Sequence, residues 1–136
     1  MSKSLLFVAC AALLTACQSP SSSDHKDLEI MGTWHIEKVQ DKGVIDYSPA
    51  QLTFGEDGKL SGNNSCNQFI GQYQLDGNQL TLTPAGSTMK ACVEALMDQE
   101  QRVMQALTTV TQASISKGKL RLKDADNKTQ LILSQQ

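Results

Sequence analysis

Residues 68–83, QFIGQYQLDGNQLTLT, carry the clearest structural pattern in the chain. On both sides of the centre of this stretch, polar and apolar residues alternate with period two, as they do in a strand with one buried face. The centre, Asp76-Gly77-Asn78, is a turn cluster of the kind that joins two antiparallel strands. The stretch therefore predicts a β-hairpin. The residues that share one face of its first strand are Phe69, Gly71, Tyr73 and Leu75.

Similar alternation extends outward on both sides of this hairpin. Upstream, Gln51–Phe54 and Lys59–Gly62 flank the turn cluster at 55–58, which predicts a second hairpin. A first strand is expected around Trp34–Val39. Downstream, the predicted strands are Ala113–Ser116, Lys119–Lys123 and Thr129–Leu133. Residues 114–122 repeat the pattern of residues 74–82, which suggests two related halves.

One segment between these strands has a different period. Apolar residues fall at helical spacing from about Val93 to Leu107, and only Glu100 interrupts them. We expect an amphipathic helix that packs this stripe, including Met97, on the sheet and exposes Gln99 among other polar residues. A partner groove formed by the methionines is the alternative. The predicted fold class is α+β, mostly β: a strongly curved antiparallel sheet or open barrel of about eight short strands, with the helix over an open edge or one mouth.

The first sixteen residues have the pattern of a secretory signal. Lys3 precedes an apolar run, Leu5–Leu14, and small residues follow. The run is shorter than the about 20 apolar residues that a membrane-spanning helix needs, so it indicates a segment that is removed on export. Leu14-Thr15-Ala16-Cys17 resembles the lipobox of bacterial lipoproteins, which are cleaved between a small residue and a lipidated cysteine. An ordinary secreted protein with a chance cysteine is the alternative.

The resemblance to a lipobox divides the chain into three predicted segments. Residues 1–16 are the removed signal, residues 17–28 are the lipidated Cys17 and a serine-rich flexible tether, and residues 29–136 are the folded domain. Two or three acyl chains attach a protein stably to a membrane, whereas one does so only marginally. Gln18 stands where enterobacterial lipoproteins of the inner membrane carry Asp. We therefore expect a protein that is anchored in the outer membrane and faces the periplasm.

Composition excludes several classes of partner. The formal net charge is −2, and the loss of Lys3 with the signal makes it −2 − 1 = −3. A mildly acidic domain without a basic cluster is not typical of nucleic-acid-binding proteins, and anionic lipid surfaces do not attract it. With three Phe, two Tyr and one Trp, the core must be mainly aliphatic. We expect one domain, a monomer without a cofactor.

The four cysteines separate into two pairs. Cys10 leaves with the signal and Cys17 takes the lipid, so Cys66 and Cys92 remain in the domain. In an oxidising compartment such a pair suggests one disulfide, and two buried free thiols are the alternative. A zinc site needs about four ligands, and only His25 and His35 are available to complete one, so we expect no metal.

Two short motifs are similar to the signatures of a known family. Residues 62–73, GNNSCNQFIGQY, resemble the G-x-x-x-C-N-x-F-x-G-x-Y signature of the META domain, and residues 88–92, TMKAC, resemble its second signature. On these motifs the chain is identified as a member of the META domain family, over roughly residues 30–135, among lipoproteins similar to the heat-shock protein HslJ. The matched positions, beside the two cysteines, are Gly62, Asn67, Phe69, Gly71, Tyr73, Thr88, Met89 and Ala91.

The resemblance implies a setting rather than a mechanism. Family members similar to HslJ are heat-inducible envelope proteins linked to tolerance of heat and novobiocin, and no enzyme activity is established for the domain. We therefore expect a non-enzymatic envelope lipoprotein that contributes to stress tolerance through contacts at the outer membrane. The alternative is a carrier or chaperone that binds an apolar ligand, such as lipid, between the helix and the sheet.

The motif residues have a structural interpretation and a functional one. In the structural interpretation, the glycines allow bends, bulges or turns, Asn67 fixes a bulge beside Cys66, and Phe69 and Tyr73 pack beneath the helix. In the functional one, Asn63, Asn64 and Asn67 form a polar contact surface. Catalysis would require a polar cleft around His35, and we expect no catalytic residue.

Overall fold

The structure, a computed structural model, describes residues 26–136. The predicted signal segment, its cleavage site between Ala16 and Cys17, and most of the predicted tether lie outside the described residues. Within the described range the chain forms nine β-strands and one α-helix, α1 (Glu94–Thr109). The strands are β1 (Gly32–Val39), β2 (Lys42–Gly43), β3 (Gln51–Phe54), β4 (Lys59–Asn63), β5 (Gln68–Asp76), β6 (Gln79–Ser87), β7 (Gln112–Ser116), β8 (Lys119–Lys123) and β9 (Thr129–Gln135).

The predicted hairpins are confirmed. In β5–β6, Asp76 pairs with Gln79, which leaves a two-residue turn whose first residue, Gly77, has a φ of 61°. Positive φ at this position is the reason that glycine suits the turn. The β7–β8 hairpin has the same two-residue turn length, so the two similar stretches of sequence form similar hairpins.

The short β1–β2 hairpin was not predicted. Its turn residues Gln40 and Asp41 have φ values of 48° and 68°, the geometry that asparagine and glycine usually supply. Asp41 is a common turn residue but Gln40 is not, so no usual turn dipeptide marks this hairpin in the sequence.

β1 closes the sheet into a barrel. It pairs antiparallel with β3 through Gly32–His35 and with β9 through Trp34–Val39. Around the barrel the order is β1-β3-β4-β5-β6-β7-β8-β9, and β2 extends beside the end of β1. The strongly curved antiparallel sheet is thus confirmed, and its closure removes edges that an open sheet would expose.

The pairing between β6 and β7 is short, and the helix lies near it. Only Gln79 and Gln112 pair between these two strands. α1 contacts β6 on one side and β1 and β9 on the other, so it covers an opening of the barrel, as predicted. Its buried side chains Val103, Ala106 and Leu107 join the core.

The chain enters the domain beside the β5–β6 turn. The backbone N–H of Leu28 donates to the carbonyl of Gly77 at 3.1 Å, and the indole N–H of Trp34 donates to the carbonyl of Ile30 at 2.8 Å. Residues 28–30 therefore lie against the barrel, and Ile30 is buried.

The core is aliphatic, as the low aromatic content indicates. Inward-facing residues alternate along the strands, and each large side chain that is fully buried contributes about 1.5–3 kcal/mol. The leucines that are 0% exposed are Leu52, Leu80, Leu107, Leu120, Leu122, Leu131 and Leu133.

Candidate functional site

Asn67 holds the segment after β6 through both atoms of its amide. Its Oδ1 accepts hydrogen bonds from Thr88 Oγ1 at 2.9 Å and from the backbone N–H of Lys90 at 2.6 Å. Its Nδ2 donates to the carbonyl of Lys90 at 3.3 Å and to the carboxylate oxygens of Glu100 at 3.2 and 3.1 Å. The predicted role of fixing a bulge beside Cys66 is therefore too local, because Asn67 links the β4–β5 loop to both the segment 88–90 and α1.

Asn64 completes this connection from inside the fold. Its Nδ2 donates to Glu100 Oε1 at 3.0 Å, and its Oδ1 accepts from the backbone N–H of Asn67 at 2.8 Å. Asn64 is 0% and Asn67 is 5% exposed, so neither belongs to a polar contact surface. The structural interpretation holds for both, and only Asn63 of the three is partly exposed.

Gln99 is a second buried polar anchor, and its predicted exposure is wrong. It is 1% exposed. Its Nε2 donates to Ser48 Oγ at 2.6 Å and to Ser65 Oγ at 2.8 Å, while its Oε1 accepts from the backbone N–H of Ile45 at 3.0 Å. Because burial of an unpaired amide is unfavourable, these bonds explain how the helix tolerates an inward glutamine and how the loop 44–50 is held.

Cys66 and Cys92 form a disulfide, with Cα atoms 5.8 Å apart. The alternative of two free thiols is therefore wrong for this structure. The bond joins the β4–β5 loop to the residue that precedes the N-cap of α1. Together with Asn67, it fixes both ends of the segment 88–92 to the barrel.

Three apolar side chains project from this braced region. Met89 is 96%, Val93 is 60% and Met97 is 43% exposed; we call these three residues the apolar patch. The prediction that Val93 and Met97 pack on the sheet is wrong. Val93 precedes α1, which begins at Glu94, and the buried side of α1 includes Gln99, Val103 and Leu107 instead of Met97.

The glycines of the first motif serve close packing. A methyl group on Gly62 would collide with the carbonyl oxygen of Gln51 and lie 2.9 Å from the ring of Phe69. On Gly71 it would collide with the carbonyl oxygen of Thr83 and lie 2.9 Å from Cα of Pro84. Both glycines thus allow neighbouring strands to approach, and the register shift between Ile70 and Gly71 is the expected bulge.

Phe69 is buried in the core, but Tyr73 packs elsewhere than predicted. The Tyr73 ring meets Phe54 edge-on with centroids 5.1 Å apart, and its hydroxyl donates to the carbonyl of Gly55 at 2.8 Å. Burial raises the pKa of Tyr73. Tyr73 therefore braces the β3–β4 turn.

A cavity of about 680 Å³ opens on the outside of the barrel wall; we call it the trough. Two rows of outward side chains run across its strands. The long row consists of direct cross-strand partners on four strands: His35, Gln51, Asn63 and Gln68. The short row lies two residues away along the same strands. It consists of Thr53, Ser61, Ile70 and Gly86. Gly62 lies between the rows on β4 but faces inward, where its missing side chain leaves room for the ring of Phe69.

The trough contains His35, as the enzymatic alternative requires, but it lacks an orienting carboxylate. No Asp, Glu, Lys or Arg is among the described residues that line it. The side-chain amide of Gln136 contacts His35 Nε2. Among residues 26–136 no group of three or more His, Cys, Asp or Glu side chains is placed to hold a metal ion.

Residues 26–136 match a family model described as the META domain. The chain belongs to the META domain family. None of the curated proteins compared with it matches. The described part of the chain includes no helix with the length and apolar character needed to cross a bilayer.

Solved structures resemble this META domain in fold. A protein from Burkholderia xenovorans, solved by NMR, is 22% identical with a TM-score of 0.64, and the match covers 77% of this chain and 81% of that one. A crystal structure of a DUF4847 family protein from Bacteroides vulgatus ATCC 8482 is 17% identical with a TM-score of 0.58, covering 77% and 92%. A further NMR structure is 27% identical with a TM-score of 0.58, covering 76% and 87%.

The META domain motifs converge on one end of the barrel. Asn67, Thr88 and the two cysteines meet there, whereas Tyr73 lies beside the β3–β4 turn. The sequence analysis did not identify Glu100 and Gln99 as the residues through which α1 is hydrogen-bonded to the loops. The interruption of the apolar stripe at Glu100 was a usable signal, because a carboxylate at an inward position needs partners.

Proposed function

We propose that this META domain protein is a non-enzymatic lipoprotein of the outer membrane that supports tolerance of heat and novobiocin by binding another envelope protein through the apolar patch. The predicted lipid on Cys17 would attach it to the membrane. The family resemblance supports the setting, and the apolar patch supports binding as the mode of action.

The observation that carries the proposal is the display of Met89. Thr88 and Lys90, on either side of it, are both hydrogen-bonded to Asn67, while Met89 itself is 96% exposed. An apolar side chain held away from the barrel by its neighbours can enter a partner's pocket without much loss of backbone entropy. Methionine also adapts its shape to such pockets.

The position of the patch favours a protein partner over the lipid surface. The predicted tether joins the domain at Leu28, beside Gly77. Met89 follows the opposite end of β6, a nine-residue strand, which places it about 30 Å along the strand from that turn. The apolar patch is thus at the end of β6 that lies far from the point where the predicted tether joins the domain.

The packing does not favour a lipid carrier. That alternative requires a cavity between the helix stripe and the sheet, but Val103, Ala106 and Leu107 are 0% exposed in the shared core. No residue of α1 lines the trough or the cavity beside Leu28 and Tyr73.

The experiment is complementation in the native bacterium after deletion of the gene. Wild type and Gln74→Asp, an exposed control on β5, should restore survival under heat and novobiocin, whereas Met89→Asp should not. A photo-reactive residue at position 89 should cross-link to one envelope protein, and the same residue at position 74 should not. Full complementation by Met89→Asp would rule out the apolar patch as the working surface.

The anchor has its own test. Wild type should incorporate labelled palmitate and stay with the outer membrane on fractionation. Cys17→Ser should lose the label and the membrane association. Wild type without label would contradict the lipoprotein assignment while leaving the patch experiment interpretable.

A further inference from the structure

The trough is a built cavity that the proposed protein contact does not use. Its volume, about 680 Å³, is within the range typical of small-ligand sites. It is lined by residues of β1, β3, β4, β5 and β6 and by residues that flank them. The long row alone crosses four strands, a length of about 14 Å at the usual strand spacing.

The lining combines side-chain amides and hydroxyls with apolar surface, which is the larger part of its exposed area, and it carries no fixed charge. Gln51, Asn63 and Gln68 present side-chain amides and Ser61 presents a hydroxyl. The hydroxyls of Thr53 and Ser87 are already bonded, to Thr33 and to the carbonyl of Thr88. His35 is the one titratable side chain among the described lining residues. An anion or a cation would therefore lose its hydration without gaining a charged partner. This favours an uncharged ligand.

The same groups distinguish among uncharged ligands. An apolar chain would match the apolar part of the lining, but it would cover amides and hydroxyls and leave them unpaired. An extended peptide would need partners for its backbone N–H and C=O groups, and the backbones of β3, β4 and β5 are already paired to strands on both sides. A hydroxyl both donates and accepts and turns freely to suit a neighbouring amide. A chain of hydroxyl-bearing units best matches the rows.

The shape of the rows agrees with this choice. The long row consists mainly of long side chains, and the short row includes the small residues Thr53, Ser61 and Gly86. Ile70, 66% exposed, packs over Gly86 and offers an apolar contact for the non-polar face of a sugar ring. We propose that the trough binds a short segment of an uncharged oligosaccharide.

The test uses the full chain, purified in a detergent without a sugar headgroup and labelled with ¹⁵N. The probes are maltohexaose, cellohexaose and chitohexaose. At least one of them should shift the side-chain amide signals of Gln51, Asn63 and Gln68. Hexagalacturonate, an anionic saccharide, and the hexapeptide Ser-Gly-Ser-Gly-Ser-Gly should not.

Variants then locate the binding. Gln51→Leu and Gln68→Leu keep the size of the side chain and remove the amide, so each should weaken binding about tenfold, the effect of a lost hydrogen bond with an unpaired partner. Ser61→Trp should fill the trough and abolish binding. Gln72→Leu, on β5 outside the trough, should bind as wild type does.

Three outcomes would overturn the proposal. They are no shift with any neutral saccharide, equal weakening by Gln72→Leu, and preferential binding of the peptide or the anionic saccharide. If Ser61→Trp does not fold, judged by its far-UV circular dichroism, the two leucine variants still decide the question. Complementation by Met89→Asp is independent of all these results.

Discussion

The amide of Asn67 donates to both carboxylate oxygens of Glu100, at 3.2 and 3.1 Å. One residue lies in the first motif and the other in the middle of α1, so the pair connects the barrel wall to the helix that covers it. Asn64 reaches the same carboxylate at 3.0 Å. A charged group inside the apolar stripe of the helix is thus bonded to two buried amides.

Removal of either partner should leave buried polar groups unpaired. We expect Asn67→Ala to lower the free energy of unfolding by about 2–3 kcal/mol, because the N–H and carbonyl of Lys90 and the carboxylate of Glu100 lose a partner. In a double-mutant cycle with Glu100→Ala, the coupling energy should be about 1–2 kcal/mol. Urea unfolding measures both quantities. Additive losses would contradict a direct interaction, and Gln72→Ala is the surface control.

Gly62 and Gly86 provide a matched pair for the close approach of strands. A methyl group on Gly62 collides with the backbone of Gln51, whereas on Gly86 it meets only the side chain of Ile70, at 3.5 Å. We expect Gly62→Ala to cost about 2–3 kcal/mol in unfolding free energy and Gly86→Ala to cost much less. Thermal unfolding of the two variants compares them directly. Equal melting temperatures would show that the wall is not packed as tightly as described.

The strands and the disulfide could be predicted because their signals are local. Alternation of polar and apolar residues revealed the β5–β6 and β7–β8 hairpins, and elimination of two cysteines suggested the bond between Cys66 and Cys92. Closure through β1 and β9 joins the two ends of the domain, and no local pattern reports such a pairing.

The helix shows why side-chain roles were harder to predict than elements. The period of the stripe placed Val93 and Met97 inside and Gln99 outside, and all three assignments were wrong. The bonds from Gln99 to Ser48, Ser65 and Ile45 come from loops distant in sequence. These bonds make an inward amide favourable, so Gln99 lies on the buried side of α1 and Met97 does not.

Asp124 should make the free energy of unfolding depend on pH in the acidic range. Its carboxylate accepts hydrogen bonds from the backbone N–H groups of Lys128 and Asp126 and from the amide of Gln130. The pKa of Asp124 is lowered, first by the Lys128 bond. Because the folded pKa lies below the unfolded value of about 3.9, the stabilisation is present above that value and is lost as pH falls through the folded pKa.

An NMR titration of the carboxyl carbons tests this directly. The midpoint for Asp124 should lie below that of aspartate in an unstructured peptide. Asp124→Asn keeps an acceptor for the backbone but cannot titrate, so unfolding of this variant should vary less with pH below about 4. A midpoint at the peptide value would remove the basis for the effect.

The disulfide should contribute substantially to stability because it constrains the unfolded chain. Cys66 and Cys92 are 26 residues apart, and closing a loop of this length corresponds to roughly 3–4 kcal/mol in the chain-entropy model. Cys66→Ala/Cys92→Ala should therefore unfold at lower urea concentration than the oxidised wild type, by about this free energy. Reduced wild type should unfold close to the double variant, since it loses the same constraint. If reduction leaves the unfolding midpoint unchanged while a thiol assay shows two free cysteines, then the hydrogen bonds of Asn67 alone are sufficient to hold the segment 88–92.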